Sequence, residues 1–210
     1  MIDAGGPGRN GGSDGNGLPT GEALDRELRP SASAKDYDGT LERWAEGTTA
    51  ARALPGARLD IPYGEAPRQR MDLFLPPAAA GPVPVPCFAF IHGGFWQRLS
   101  KDYAAFAAPA FLARGFAFAS FGYTLCPETD LTGIVAEIST AFRHLARIAP
   151  EHGIDPRRVV VGGHSAGGHL AACLLTRAGH PGDDAPTPAG LALVFGVFAL
   201  GPVRRSYVNE

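Results

Sequence analysis

The stretch RVVVGGHSAGGHLAACLL, Arg158–Leu175, decides how the rest of the chain is read. Three valines run into a cluster of small residues around one serine, and an apolar, alanine-rich run leaves it. The valine run reads as a buried strand, and SAGGHLAACLLTRA from Ser165 onward reads as a helix. Gly163-His164-Ser165-Ala166-Gly167 therefore fits the G-x-S-x-G pattern at a strand-to-helix turn. Five positions of common residues match often by chance, and it is the strand before and the helix after that give the match weight. On such a turn the serine is held out on strained backbone, and side chains at the flanking positions would collide with neighbouring backbone. Gly163 and Gly167 are thus the elbow-shaping residues, and Ser165 is the candidate nucleophile. At the start of a helix its surroundings carry free N–H groups and the positive end of the dipole, which favour developing negative charge. The plain alternative is a glycine-rich turn in which Ser165 is only an N-cap.

Outward from the elbow, strand and helix signals alternate. ARLDIPY and QRMDLFLP read as strands joined by the turn-prone Gly64–Pro67. PCFAFIH (Pro86–His92) and FAFASFGY (Phe116–Tyr123) are apolar enough to be buried on both faces. LALVFGVF is the last of about six strands, and EHGIDPRR reads as a loop. A helical lead-in spans Asp36–Ala53, and a second helical segment runs on from Ser100, with Pro109 kinking or splitting it. A long helix follows Asp130, a reasonable N-cap, with Leu131, Ile134, Val135, Ile138, Phe142, Leu145 and Ile148 at steps of three and four. Strands alternating with helices predict an α/β domain with a mostly parallel sheet and helices on both faces.

The second motif is His92-Gly93-Gly94-Phe95-Trp96, at the end of a buried strand. A glycine pair there lets backbone N–H groups face a substrate oxygen with no Cβ in the way. A plain strand-end turn beside two core aromatics is the alternative.

Together HGGFWQ, YTLCPE (Tyr123–Glu128), GIDPRRVVVGGHSAGGHLAA and LDIPYGEAPRQRMDLFLP resemble the α/β-hydrolase superfamily. Within it they are similar to the arylformamidase (kynurenine formamidase)-like branch, beside the hormone-sensitive-lipase-type esterases. The similarity runs from about Leu41 to the last residue. It implies hydrolysis of an ester or an N-formyl amide such as N-formylkynurenine through an acyl-enzyme, with no cofactor. It implies Ser165 as nucleophile, the backbone of Gly93, Gly94 and Ala166 as oxyanion hole, and Phe95 and Trp96 as substrate-binding candidates, although large flat side chains there could equally be core. His92 is expected to hold loop backbone, and His164 to pack away from the serine.

In this fold an Asp or Glu and then a His follow the nucleophile in chain order. After Ser165 come His169, His180, Asp183, Asp184 and Glu210, and no histidine follows a carboxylate. His169, one turn along the same helix, has poor access to a leaving group. About six strands against about eight in the full fold point the same way: the sequence reads as an α/β-hydrolase lacking its last two strand–helix units. LALVFGVF would then be an exposed apolar edge, leaving the chain unstable or homo-oligomeric. Three functions remain open: a formamidase-like serine hydrolase, a general carboxylesterase of the same fold, or a catalytically inactive fragment.

Composition narrows the partners. The 210 residues carry a net charge of −2, with 45% apolar and 19% charged residues, enough to bury a core and without the basic excess that attracts nucleic acid or anionic membrane. The expected partner is a small-molecule ester or amide. Cys87, Cys126 and Cys173 are odd in number and widely spaced, which suggests buried small hydrophobes and neither disulfides nor a metal site. No secretory h-region or membrane-spanning run is visible, so a cytoplasmic setting is the default. Residues 1–34, rich in Gly, Asn and Pro, read as a disordered tail ahead of a partial α/β-hydrolase domain over 35–210.

Overall fold

The computed structural model describes residues 13, 15, 17, 19–29, 31, 34–176 and 186–209. They fall into two compact units: residues up to Thr40 together with those from Phe198 onward, and Leu41–Val197. In the first unit α1 (Gly21–Glu27) buries Leu24, and the Tyr207 amide donates to the Asp25 carboxylate at 2.9 Å. This part of the expected tail is helical because Leu24 has something to bury. Most of the rest of that tail lies outside the described residues.

The second unit holds a six-stranded sheet: β1 (Ala57–Pro62), β2 (Arg70–Phe74), β3 (Val85–Ile91), β4 (Ala117–Phe121), β5 (Ile154–His164) and β6 (Gly190–Val194). Their spatial order is β1-β2-β4-β3-β5-β6, antiparallel at the β1–β2 and β2–β4 pairs and parallel in the other three. The mostly parallel α/β sheet expected from the alternation is what the chain forms.

Each face has its own cover. Helix α2 (Tyr37–Arg52) supplies Ala51, and α3 (Ala108–Leu112) supplies Ala108, to a cluster with Phe74 and Phe118, against which Phe88, Phe90 and Phe111 pack. Helices α4 (Leu131–Ile148) and α5 (Ala166–Cys173) pack on β5, and α5 also reaches β3. Asp130 caps α4 through its carboxylate, which accepts from the Gly133 amide at 2.7 Å. The predicted face of α4 buries Ile134, Val135, Ile138, Phe142, Leu145 and Ile148, each side chain contributing about 1.5–3 kcal/mol.

Three boundaries differ from the sequence reading. Pro109 sits in the first turn of α3, where its missing N–H leaves no bond unmade, and residues 101–107 form short 3₁₀ turns before it. The expected loop EHGIDPRR feeds Ile154–Arg158 into β5, because Val85 of β3 gives Ile154 a pairing partner. The last strand stops at Val194. Phe195 turns the chain with φ of 50°, and Val197 then donates to the Ser165 carbonyl at 3.3 Å. β6 nevertheless forms one edge of the described sheet, with Leu193 and Val194 exposed. Cys87 is fully buried and Cys126 and Cys173 are half-buried, all three as free thiols. Among the described residues no helix is long and apolar enough to cross a membrane.

Candidate active site

Strand β5 ends at His164 and α5 begins at Ala166, so Ser165 alone makes the turn between them, with φ 55° and ψ −117°. A non-glycine residue in that region carries about 1–3 kcal/mol of strain and persists only where its surroundings enforce it. They do so on both sides. The Ser165 amide donates to the Val194 carbonyl at 2.9 Å, and its carbonyl accepts from the His169 amide at 3.2 Å. A Cβ at Gly163 would run into the Gly167 backbone, and one at Gly167 into the Ile91 carbonyl. These contacts are why both positions need glycine. Ser165 itself is half-buried, and its hydroxyl has no hydrogen-bond partner among the described residues.

The HGG segment lies directly against this turn. A Cβ built on Gly93 would stand 3.3 Å from the Ser165 Cβ and 2.8 Å from the His164 carbonyl oxygen. Gly94, Phe95 and Trp96 follow with φ of 104°, 51° and 58°, three consecutive left-handed residues that curl the loop. The amides of Gly93, Gly94 and Ala166 carry no hydrogen bond among the described residues. Of the sequence-predicted residues, Gly93 and Ala166 stand beside Ser165 at the carboxyl end of β3 and β5, and Gly94 follows in the same loop, against Arg98 and Leu99.

His92 braces that loop. Its Nδ1 lies 2.8 Å from the Gly93 carbonyl, an acceptor only, so Nδ1 carries the hydrogen. Its ring stacks on Tyr123, whose hydroxyl donates to the His92 carbonyl at 3.0 Å. Burial, only partly offset by the Gly93 bond, pushes the imidazole down to about 4 and keeps it neutral. Arg68 anchors the far side, donating to the Tyr123 carbonyl at 3.0 Å and to the Leu99 carbonyl.

The other histidines do not reach the serine. His164 stands edge-on to Trp44 and to Phe195, at 6.2 and 6.4 Å between ring centroids. The His169 Nε2 lies 3.6 Å from the Cys173 sulfur, and its ring meets Trp96 edge-on at 5.3 Å. Burial lowers the pKa of both. No described histidine side chain hydrogen-bonds to Ser165, and His180 lies outside the described residues.

The aromatic pair after the glycines separates. Phe95 is half-buried, whereas Trp96 is 5% exposed and packed on His169. Neither lines the cavity beside Gly93 and His164, of about 250 Å³, whose walls include Trp44, Phe90, Tyr103 and Phe106. The core alternative for Trp96 is the one its burial favours. The sequence reading missed Trp44, whose only local signal was a large aromatic in the otherwise polar run LERWAEGTT.

A network of charges fixes the elements around this cavity. Asp72 on β2, fully buried, takes Lys101 at 2.9 Å and also Arg52 of α2. Asp60 and Asp102 take the same two cations at 2.7–3.3 Å.

Known proteins are similar to this chain in sequence and in fold. A family profile described as BD-FAE matches residues 71–182. A kynurenine formamidase from Danio rerio is 34% identical over 164 residues, which are 78% of this chain, and the chain spans 54% of the length of that relative. A crystal structure of a Silicibacter sp. protein superposes with a TM-score of 0.78 at 34% identity, covering 90% of this chain and 70% of the other. Thermogutta terrifontis esterase 2, phosphoramylated by tabun, gives 0.60 at 27% identity over 71% of this chain and 61% of its own.

Proposed function

We propose that this chain, which belongs to the BD-FAE family of arylformamidase- and esterase-like α/β-hydrolases, acts as a serine hydrolase on an ester or an N-formyl amide. The observation that carries the reading is the strained Ser165 turn held against three unbonded amides, with Gly93 at the serine's side.

In the proposed reaction Ser165 Oγ attacks the substrate carbonyl carbon, and the oxygen becomes an oxyanion that accepts from the amides of Gly93, Gly94 and Ala166. Collapse breaks the carbonyl–heteroatom bond and leaves an acyl group on Ser165. The leaving alcohol or amine takes up the proton lost by the serine. Water then attacks the acyl carbonyl, and its proton returns to Ser165 as the carboxylic acid leaves. The neutral His92 serves to hold the Gly93 carbonyl so that the loop amides stay turned toward Ser165. No described histidine sits where it could carry the serine proton, so a general base is a requirement of the reading. It calls on no cofactor, and it carries the cytoplasmic setting expected from the sequence as part of the proposal.

The fish relative is a kynurenine formamidase and the bacterial neighbour an esterase, which supports both substrate classes. Steady-state hydrolysis of N-formylkynurenine and of p-nitrophenyl acetate by protein isolated from its source cells tests the proposal and ranks the two. Turnover of either that Ser165→Ala abolishes is the expected result, and turnover unchanged by Ser165→Ala overturns it.

A further inference from the structure

The cavity beside the elbow has a chemistry of its own. Six of its lining residues, Trp44, Phe90, His92, Tyr103, Phe106 and His164, carry flat rings. Trp44 stacks on Phe106 at 5.2 Å and 7°, and stands edge-on to His164 at 79°. No carboxylate, lysine or arginine is among its lining residues. Both histidines are held toward their neutral form by burial. Walls of this kind favour an uncharged, planar group, which can stack or meet them edge-on.

Volume sets the size of that group. An apolar cavity of about 150 Å³ admits benzene. At that ratio about 250 Å³ holds one ring with a few attached atoms, about ten non-hydrogen atoms in all.

Trp44 stands apart from the other walls because it belongs to α2 and not to the strand ends that carry Ser165 and Gly93. Its position is nonetheless fixed. A Cβ at Gly47, the next turn of α2, would lie 2.9 Å from the Phe106 Cβ, so the helix lies tight against the chain at Phe106. At its end Arg52 is tied to Asp60 and Asp72.

We propose that Trp44 is a specificity-determining residue, the wall of a subsite that holds an uncharged single-ring group of the substrate. This rests on Ser165 being the reacting residue, which places the cavity beside the scissile bond. Trp44 contacts no reacting atom and acts by shaping the space. The ring can arrive on the acyl side or on the leaving-group side of the carbonyl.

The test uses the full chain with Ser165→Ala, so that probes bind without turnover. Calorimetric titration compares methyl benzoate, with its ring on the acyl side, phenyl acetate, with its ring on the leaving-group side, and ring-free ethyl acetate. Adding Trp44→Ala is expected to weaken one or both ring esters about tenfold and ethyl acetate less than twofold, and Trp44→Phe to recover most of the loss. The ester that loses affinity identifies the side on which the ring enters. An effect under twofold on both ring esters, or an equal loss for ethyl acetate, overturns the proposal. Trp44→Leu replaces Trp44→Ala if the latter lacks the parent circular dichroism. Because binding is read without Ser165, a Trp44-dependent site in a protein whose Ser165 never reacts would sink the hydrolase reading and leave the subsite standing.

Discussion

The imidazole of His92 lies flat on the phenol ring of Tyr123, 4.1 Å between centroids and 7° from parallel, while the Tyr123 hydroxyl donates to the His92 carbonyl. Between them the two rings fix the start of the glycine loop from below.

That burial has a pH signature. His92 titrates near its ordinary 6.5 when unfolded and at about 4 when folded. The unfolded chain therefore binds more protons in that window, and the contribution of His92 is fully present above 6.5 and is lost as pH falls toward 4. The gap corresponds to about 3 kcal/mol. Urea unfolding between pH 4 and 7 is expected to show this loss in the parent and a flatter profile in His92→Gln.

A methyl group on Gly93 would stand 2.8 Å from the His164 carbonyl oxygen and 3.3 Å from the Ser165 Cβ, so the loop would have to move to admit it. Gly93→Ala is expected to lower kcat by about 10²–10³ while KM changes little, because the displaced amide would bind charge that develops only in the transition state. Steady-state kinetics on the ester that the parent turns over best decides this. A kcat within twofold of the parent would remove Gly93 from the oxyanion role.

Asp72 is wholly buried between two cations. Asp72→Asn leaves Lys101, itself nearly buried, with only the exposed carboxylates of Asp60 and Asp102 and is expected to cost about 3 kcal/mol in chemical denaturation. Adding Lys101→Met should recover much of that loss. At the exposed rim of the network the Lys101 bond holds the Asp60 carboxyl below its ordinary 3.8, against the opposing effect of burial. Its contribution is present above 3.8 and lost as pH falls through the lower folded value, and screening keeps it to about 1 kcal/mol or less.

How much of this was legible in the chain depends on the range of the contacts. The Ser165 turn and the glycine loop after His92 were readable because each is local: a strand, a turn that only glycine fits, and a helix or loop within a few residues. Helix α4 was readable because its apolar spacing and the Asp130 cap sit within one segment. The Trp44 wall was not, since Trp44 meets Phe106 and His164 only after three distant segments converge on the sheet's carboxyl end. Asp72 lies in QRMDLFLP, which the sequence shows only as a strand, and its burial appears only once Arg52 and Lys101 arrive from α2 and the turn after Leu99. The early end of β6 likewise reflects a tertiary bond, from Val197 back to Ser165, that no propensity encodes.

At the edge of the described sheet β6 presents Leu193 and Val194, 39% and 45% exposed, with Phe195 beyond them at 86%. An apolar edge of this kind templates pairing with another chain. Concentration-dependent self-association in sedimentation velocity is expected for the 210-residue chain, reduced by Leu193→Lys. A single monomeric species with a cooperative melt at all concentrations would count against it.

The most direct measurement is peptide mass spectrometry of the source-cell protein after exposure to an alkyl fluorophosphonate, which forms a stable phosphonyl ester with an activated serine hydroxyl. One adduct on the peptide that carries Ser165, absent from Ser165→Ala, is the result expected. A protein that hydrolyses esters while Ser165 stays unmodified, or one labelled at another residue, would contradict the assignment of Ser165 as the nucleophile.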